Sequence, residues 1–128
     1  MATPSCWPSG WTRTGPPAVA EPQVDAHTLV LLMRPADPPQ LDSGAVDALQ
    51  EQHLAFLAAR RDEGVMAAAG PFRDRPDERW RGMCLYLVDR ERALQLASED
   101  PMVRAGWLEL VALTWLTRPG ELGYGPGA

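Results

Sequence analysis

Two side chains far apart in the sequence, His53 and Asp100, are of the types from which acid/base catalysis is built. On a helical wheel at about 100° per residue, His53 points the same way as Val46, Leu49, Phe56 and Leu57. An imidazole thus stands in the middle of an apolar stripe. Leaving such a group buried and unpaired costs about 1–3 kcal/mol, so something must meet it. One reading is a core histidine satisfied by a backbone carbonyl. The other needs a carboxylate. Asp100, followed by Pro101, is open to plain turn chemistry, its carboxylate accepting from a nearby backbone N–H. Held instead against one imidazole nitrogen, it fixes the tautomer and leaves the second nitrogen to take or give a proton near neutral pH. The two are then an acid/base dyad.

Other chemistries find less footing. Ser43 and Ser98 sit at helix ends, where capping accounts for them. There is no GxSxG elbow, glycine-rich phosphate loop or HExxH pair. Cys6, His27, His53 and Cys84 lack zinc-like spacing. The expectation is a site with no cofactor and no metal. Candidate substrate-binding residues beside the dyad are Arg34, as a polar anchor, and Met83, Tyr86 and Trp107, as walls. Each has a structural reading too: Arg34 at the surface, Met83 and Trp107 as core or dimer contacts, Tyr86 capping an edge.

The elements that must position these residues separate cleanly. Residues 27–33 form a short apolar run that suits a buried strand. Asp42 or Ser43 caps a long helix that runs to about residue 63, where Gly64 closes it. Residues 65–69 and 81–88 read as a second and third strand joined by a polar hairpin loop. Asp89 caps a shorter helix to about residue 98, and Pro101 bars its simple continuation. Residues 107–116 are the fourth strand. The order β-α-β-β-α-β predicts an α+β, ferredoxin-like fold, two helices on one face of an antiparallel four-stranded sheet. In this arrangement the loop entering the fourth strand can approach the face of the first helix, depending on how the helices pack, and the dyad requires that approach.

Strands one, three and four carry apolar residues on both faces, so the face away from the helices needs a cover. A second copy of the chain, sheet against sheet, is the economical one, and a homodimer is expected.

Composition bounds the rest. The chain of 128 residues has a net charge of −5, and its 12 basic residues are all arginine. That balance argues against nucleic acid as a partner. Arg73, Arg75, Arg79 and Arg81 interleave with Asp74, Asp77 and Glu78, which reads as a solvated, self-neutralised loop. No apolar run reaches the roughly 20 residues of a membrane span, and the N-terminus has no apolar signal core. A cytoplasmic protein, with no disulfide between Cys6 and Cys84, is expected. Residues 1–25 read as a loosely packed Pro-rich extension holding Trp7 and Trp11, residues 26–118 as the domain, and residues 119–128 as a flexible Gly/Pro-rich tail.

Gln52-His53-Leu54, Glu63-Gly64, Ala69-Gly70-Pro71-Phe72 and Asp100-Pro101 with Gly106 after it together resemble the YciI-like (YCII-related domain) family over about residues 27–117. The resemblance implies a dimeric α+β barrel with a His–Asp pair in a pocket, which maps onto His53 and Asp100. It also implies a cofactor-independent elimination, of which dehydrochlorination of a chlorinated hydroxyhydroquinone is the best-understood example. Met102 departs from the aromatic residue common at its position, as does the extension before strand one, so the substrate does not carry over. Two hypotheses follow. One is an enzyme performing elimination or isomerisation on a small cyclic or phenolic substrate; the other is a non-catalytic small-molecule-binding or accessory dimer.

Overall fold

Side-chain alternation sets the sheet. Along β1 (Asp25–Met33), Val30 and Leu32 enter the core beneath the helices, while Leu29 and Leu31 turn to the other face. The computed structural model describes residues 23–123, so Cys6, Trp7, Trp11 and the end of the tail lie outside the described residues. β1 is followed by α1 (Ser43–Asp62), β2 (Met66–Pro71), β3 (Trp80–Tyr86), α2 (Arg90–Ala97), α3 (Pro101–Arg104) and β4 (Glu109–Thr117). The four strands form one antiparallel sheet in the order β2-β3-β1-β4. This is the ferredoxin-like α+β arrangement that the order of elements predicts.

The helix ends follow local chemistry. The Asp42 side chain accepts the Ala45 N–H at 2.8 Å, choosing between the two expected caps of α1. Gly64, at φ 80°, closes the helix in a Schellman turn, with Val65 N–H donating to the Arg60 carbonyl. Asp89 caps α2 by accepting from Arg92 N–H. The core between helices and sheet is built on Val30, Leu57, Cys84, Tyr86, Ala93 and Met102, with Leu96 and Ala112 beside them.

Three differences from the sequence reading bear on the site. The sequence reading places no helix after α2, yet α3 is a four-residue helix beginning at Pro101. Proline does end α2, but in the first turn of a new helix its missing N–H is not needed. β4 then starts at Glu109 rather than residue 107, because Trp107 and Leu108 are spent in the turn that closes α3, both donating to the Met102 carbonyl. β2 runs on to Pro71, an edge-strand position where proline removes no shared hydrogen bond.

Beyond β4, the Gly120 N–H donates to Asp25 Oδ2 at 2.8 Å and ties the start of the tail to the start of β1. No helix among the described residues is long and apolar enough to cross a membrane.

Candidate active site

The α1 stripe that carries His53 lines a cavity of about 500 Å³ between this helix and one end of the sheet. Val46, Gln50, His53, Leu54, Leu57 and Arg61 recur at helical spacing along that wall. The opposite wall comes from Leu32 and Arg34 at the end of β1, residues 69–71 of β2, and Arg81 and Gly82 of β3. Met102, Trp107 and Leu108 close it from α3 and the turn after it.

His53 is 8% exposed and Asp100 is 2% exposed. Nδ1 of His53 donates to Asp100 Oδ2 at 2.6 Å. A carboxylate only accepts, so the shared proton sits on Nδ1 and the neutral ring keeps its lone pair on Nε2. The second oxygen, Oδ1, accepts the Met102 N–H at 2.9 Å as the cap of α3. Turn chemistry and the meeting with His53 are therefore not alternatives, since Asp100 does both with different oxygens. α3 packs on α1, which carries the carboxylate to the imidazole. Asp100 is not itself part of the cavity wall, whereas His53 is, so the ring stands between carboxylate and cavity. Among the described residues Nε2 has no hydrogen-bond partner, and it is not sealed from solvent.

Arg34 and Trp107 also meet at the cavity. The Arg34 guanidinium lies 3.9 Å from the Trp107 ring centroid, and its Nη1 donates to the Trp107 carbonyl at 2.7 Å. The turn after α3 aims Trp107. Gly106 there has φ 77°, a conformation that a residue with a Cβ adopts at a cost. The backbone of Arg34 is pinned as well: its N–H donates to the Arg79 carbonyl at 2.7 Å, and Arg79 Nε donates back to the Arg34 carbonyl at 2.8 Å. Arg79 is also ion-paired with Glu109. The loop between β2 and β3 is charge-mixed, as its sequence indicates, but one of its arginines braces the end of β1.

Met83 and Tyr86 are placed away from the cavity. Strand alternation puts Met83 on the sheet face opposite the helices, beside Leu31. Tyr86 does face the helices, but it lies at the far end of β3 and is 1% exposed within the core. Burial pushes its phenol above the usual range, and the neighbouring Cys84 and Asp100 add to the effect. Burial likewise pushes the Cys84 thiol up to about 12, with the Asp100 charge adding, so the thiol beside the dyad stays protonated and unreactive. Gln50, Arg61 and Arg81 reach the cavity without having been marked as site residues in the sequence, whereas Met102, singled out there as a departure from the family, does stand in its wall. For Gln50 and Arg61 a signal existed, the helical spacing 50, 53, 57, 61 around His53. For Arg81 the surrounding charges masked it.

The model of the YCII-related domain matches residues 28–116, most of the described chain. The chain belongs to the YCII-related domain family. The match takes in all of the structure that builds this family member's cavity, from the end of β1 to the start of β4. No curated protein matches the sequence closely enough to count as a relative. Among solved structures, one similar chain is a 5-chloro-2-hydroxyhydroquinone dehydrochlorinase from Burkholderia phenoliruptrix in complex with 2,5-dihydroxybenzoquinone. It is 15% identical with a TM-score of 0.44, over 70% of this chain and 92% of that one.

Proposed function

We propose that this protein is a small cofactor-independent enzyme that moves protons on a small cyclic or phenolic substrate. The reading rests on one observation above all, the buried 2.6 Å bond from His53 Nδ1 to Asp100 Oδ2, with the histidine in the cavity wall and its Nε2 unpaired among the described residues. Nε2 takes a proton from the bound substrate, and the Asp100 carboxylate stabilises the imidazolium that forms. The electron pair released on the substrate then expels a leaving group from the neighbouring atom, an elimination. Alternatively it is reprotonated by the imidazolium at a second position, an isomerisation. In either case the electron count closes within the substrate and the histidine.

The apolar lining from Leu54, Leu57, Met102 and Trp107 suits a ring. We also read the sheet face opposite the helices as the contact between two copies of the chain. Val111, Leu113 and Trp115 stand exposed there in register with Leu31, Leu29 and His27.

The test is turnover of a panel of small phenols and lactones by the parent and by His53→Gln. General acid/base catalysis by one group is worth about 10²–10⁴ in rate, so the variant should lose at least a hundredfold while still folding. Binding without turnover by the parent would move the protein to the class of non-catalytic ligand-binding dimers.

A further inference from the structure

We infer that the substrate of this cavity is an organic carboxylate, its anionic group held by Arg34 with Arg61 and Arg81 beside it. This deepens the acid/base reading by naming the class of molecule that the same cavity takes. The observation that carries it is an imbalance of charge. The chain as a whole has a net charge of −5. Yet among the described residues the arginines Arg34, Arg61 and Arg81 are in the cavity wall, and no aspartate or glutamate lines it.

The acidic groups around the site are engaged elsewhere. Asp100 is bonded to His53 and Met102, and Glu109 is paired with Arg79. Glu78 meets Arg81 at 3.4 Å, but its own side chain is 89% exposed, so solvent screens that contact. Arg34 and Arg61 have no carboxylate within ion-pair distance among the described residues. Arg34 is stacked on Trp107 and spends one N–H on that residue's carbonyl. Its remaining donors are left for a ligand in the planar fork that matches a carboxylate. Partial burial holds its guanidinium below its ordinary value, and the like charges of Arg81 and Arg75 add to this. The opposite charge of a bound anion offsets both effects.

The rest of the wall decides between a carboxylate and a phosphate. Phosphate sites are commonly built on free backbone N–H groups at a helix start. Here the Met102 N–H at the start of α3 is already taken by Asp100. What remains is an arginine fork over an apolar slot of about 500 Å³, which suits a single substituted ring with one planar anionic group.

Isothermal titration with salicylate and its neutral analogue salicylamide tests the inference, on the full chain and on Arg34→Met, Arg81→Gln and His53→Gln. Salicylate is expected to bind the parent about tenfold or more tighter than salicylamide. Arg34→Met is expected to lose about tenfold or more of the salicylate affinity and little of the salicylamide affinity, and Arg81→Gln a smaller part. His53→Gln should lose less salicylate affinity than Arg34→Met, because it leaves the arginine anchor in place. Equal binding of the two probes would overturn the inference. So would an Arg34→Met variant, folded by circular dichroism, that binds salicylate as the parent does, or inorganic phosphate displacing salicylate at concentrations below its own. No saturable binding of salicylate up to its solubility would count against it too. Carboxylate binding lost in Arg34→Met supports the inference even if no turnover is found. Turnover of neutral phenols that depends on His53 but not on Arg34 leaves the acid/base reading standing and removes this one.

Discussion

Asp100 holds His53 from 47 positions away in the chain, one carboxylate oxygen on the imidazole at 2.6 Å and the other committed to the start of α3. The two bonds can be separated by mutation. Asp100→Asn keeps an oxygen for the Met102 N–H but turns an NH2 toward the ring, so Nδ1 must accept and Nε2 must carry the proton. Activity should fall at least a hundredfold, while stability drops by no more than about 1–2 kcal/mol. Asp100→Ala removes the cap as well and leaves a buried histidine unpaired, for a loss of about 2–4 kcal/mol. Urea unfolding measures both, and ¹⁵N chemical shifts of the imidazole report the tautomer. Equal stability losses for the two variants would mean that neither the cap nor the bond retained to His53 adds to stability.

Gly82 of β3 lies directly against the backbone of β2, opposite Pro71. A Cβ built there meets the Gly70 carbonyl oxygen at 2.7 Å and the Pro71 Cα at 3.2 Å, both backbone atoms that cannot swing aside. Gly82→Ala should therefore cost about 1–3 kcal/mol by urea unfolding and disturb the cavity wall that both strands share. Gly70→Ala is the control. Its Cβ meets nothing within 4 Å, and the substitution should be close to neutral.

Alkaline pH should weaken the fold through Cys84 and Tyr86. Both groups hold their protons to higher pH in the native state than in the unfolded chain, the thiol rising from 9.0 to about 12. Between those values the unfolded state binds fewer protons than the native state, so stability falls as pH rises. Below the ordinary thiol range the contribution is complete. Urea midpoints measured from neutral pH to about pH 11 should decline, and the decline should be shallower in Tyr86→Phe and in Cys84→Ala. A flat profile in the parent would contradict this.

The exposed apolar face makes a separate claim about assembly. Leu113 is 48% exposed and Trp115 40% exposed, on a strand whose partner β1 adds Leu29 and Leu31 to the same surface. Leu113→Glu places a charge in the middle of the proposed contact. It should raise the dimer dissociation constant by tenfold or more, a loss of about 1.4 kcal/mol or greater, without lowering helix content. Analytical ultracentrifugation decides it, and a parent chain that sediments as a monomer at micromolar concentration removes the dimer altogether.

Much of this arrangement can be read from residue types. Strand alternation at Val30 and Leu32, the caps at Asp42 and Asp89 and the glycine stop at Gly64 are local signals, and local physics decides them. His53 stands out because an imidazole on an apolar stripe demands a partner. The four-residue α3 escapes because Pro101 carries two opposite meanings, stopping one helix and starting another, and only tertiary packing chooses. Arg61 and Arg81 escape for a different reason: in sequence, a charge facing a cavity looks the same as one facing bulk water. Met83 could have been set aside, since its alternation with Cys84 already put it on the opposite face of the sheet.

β1 and β4 are paired along their whole lengths, from Asp25 opposite Thr117 to Met33 opposite Glu109. The domain is thus entered and left at one place, at the end of the sheet away from Arg34 and the cavity, roughly 27 Å down the strands. A short peptide joining Thr117 to Asp25 would close residues 25–117 into a ring without bending either strand. A surface tether or fused protein attached at Asp25 or at Thr117 would start from the side opposite the cavity, which suits residues 25–117 to immobilised assays.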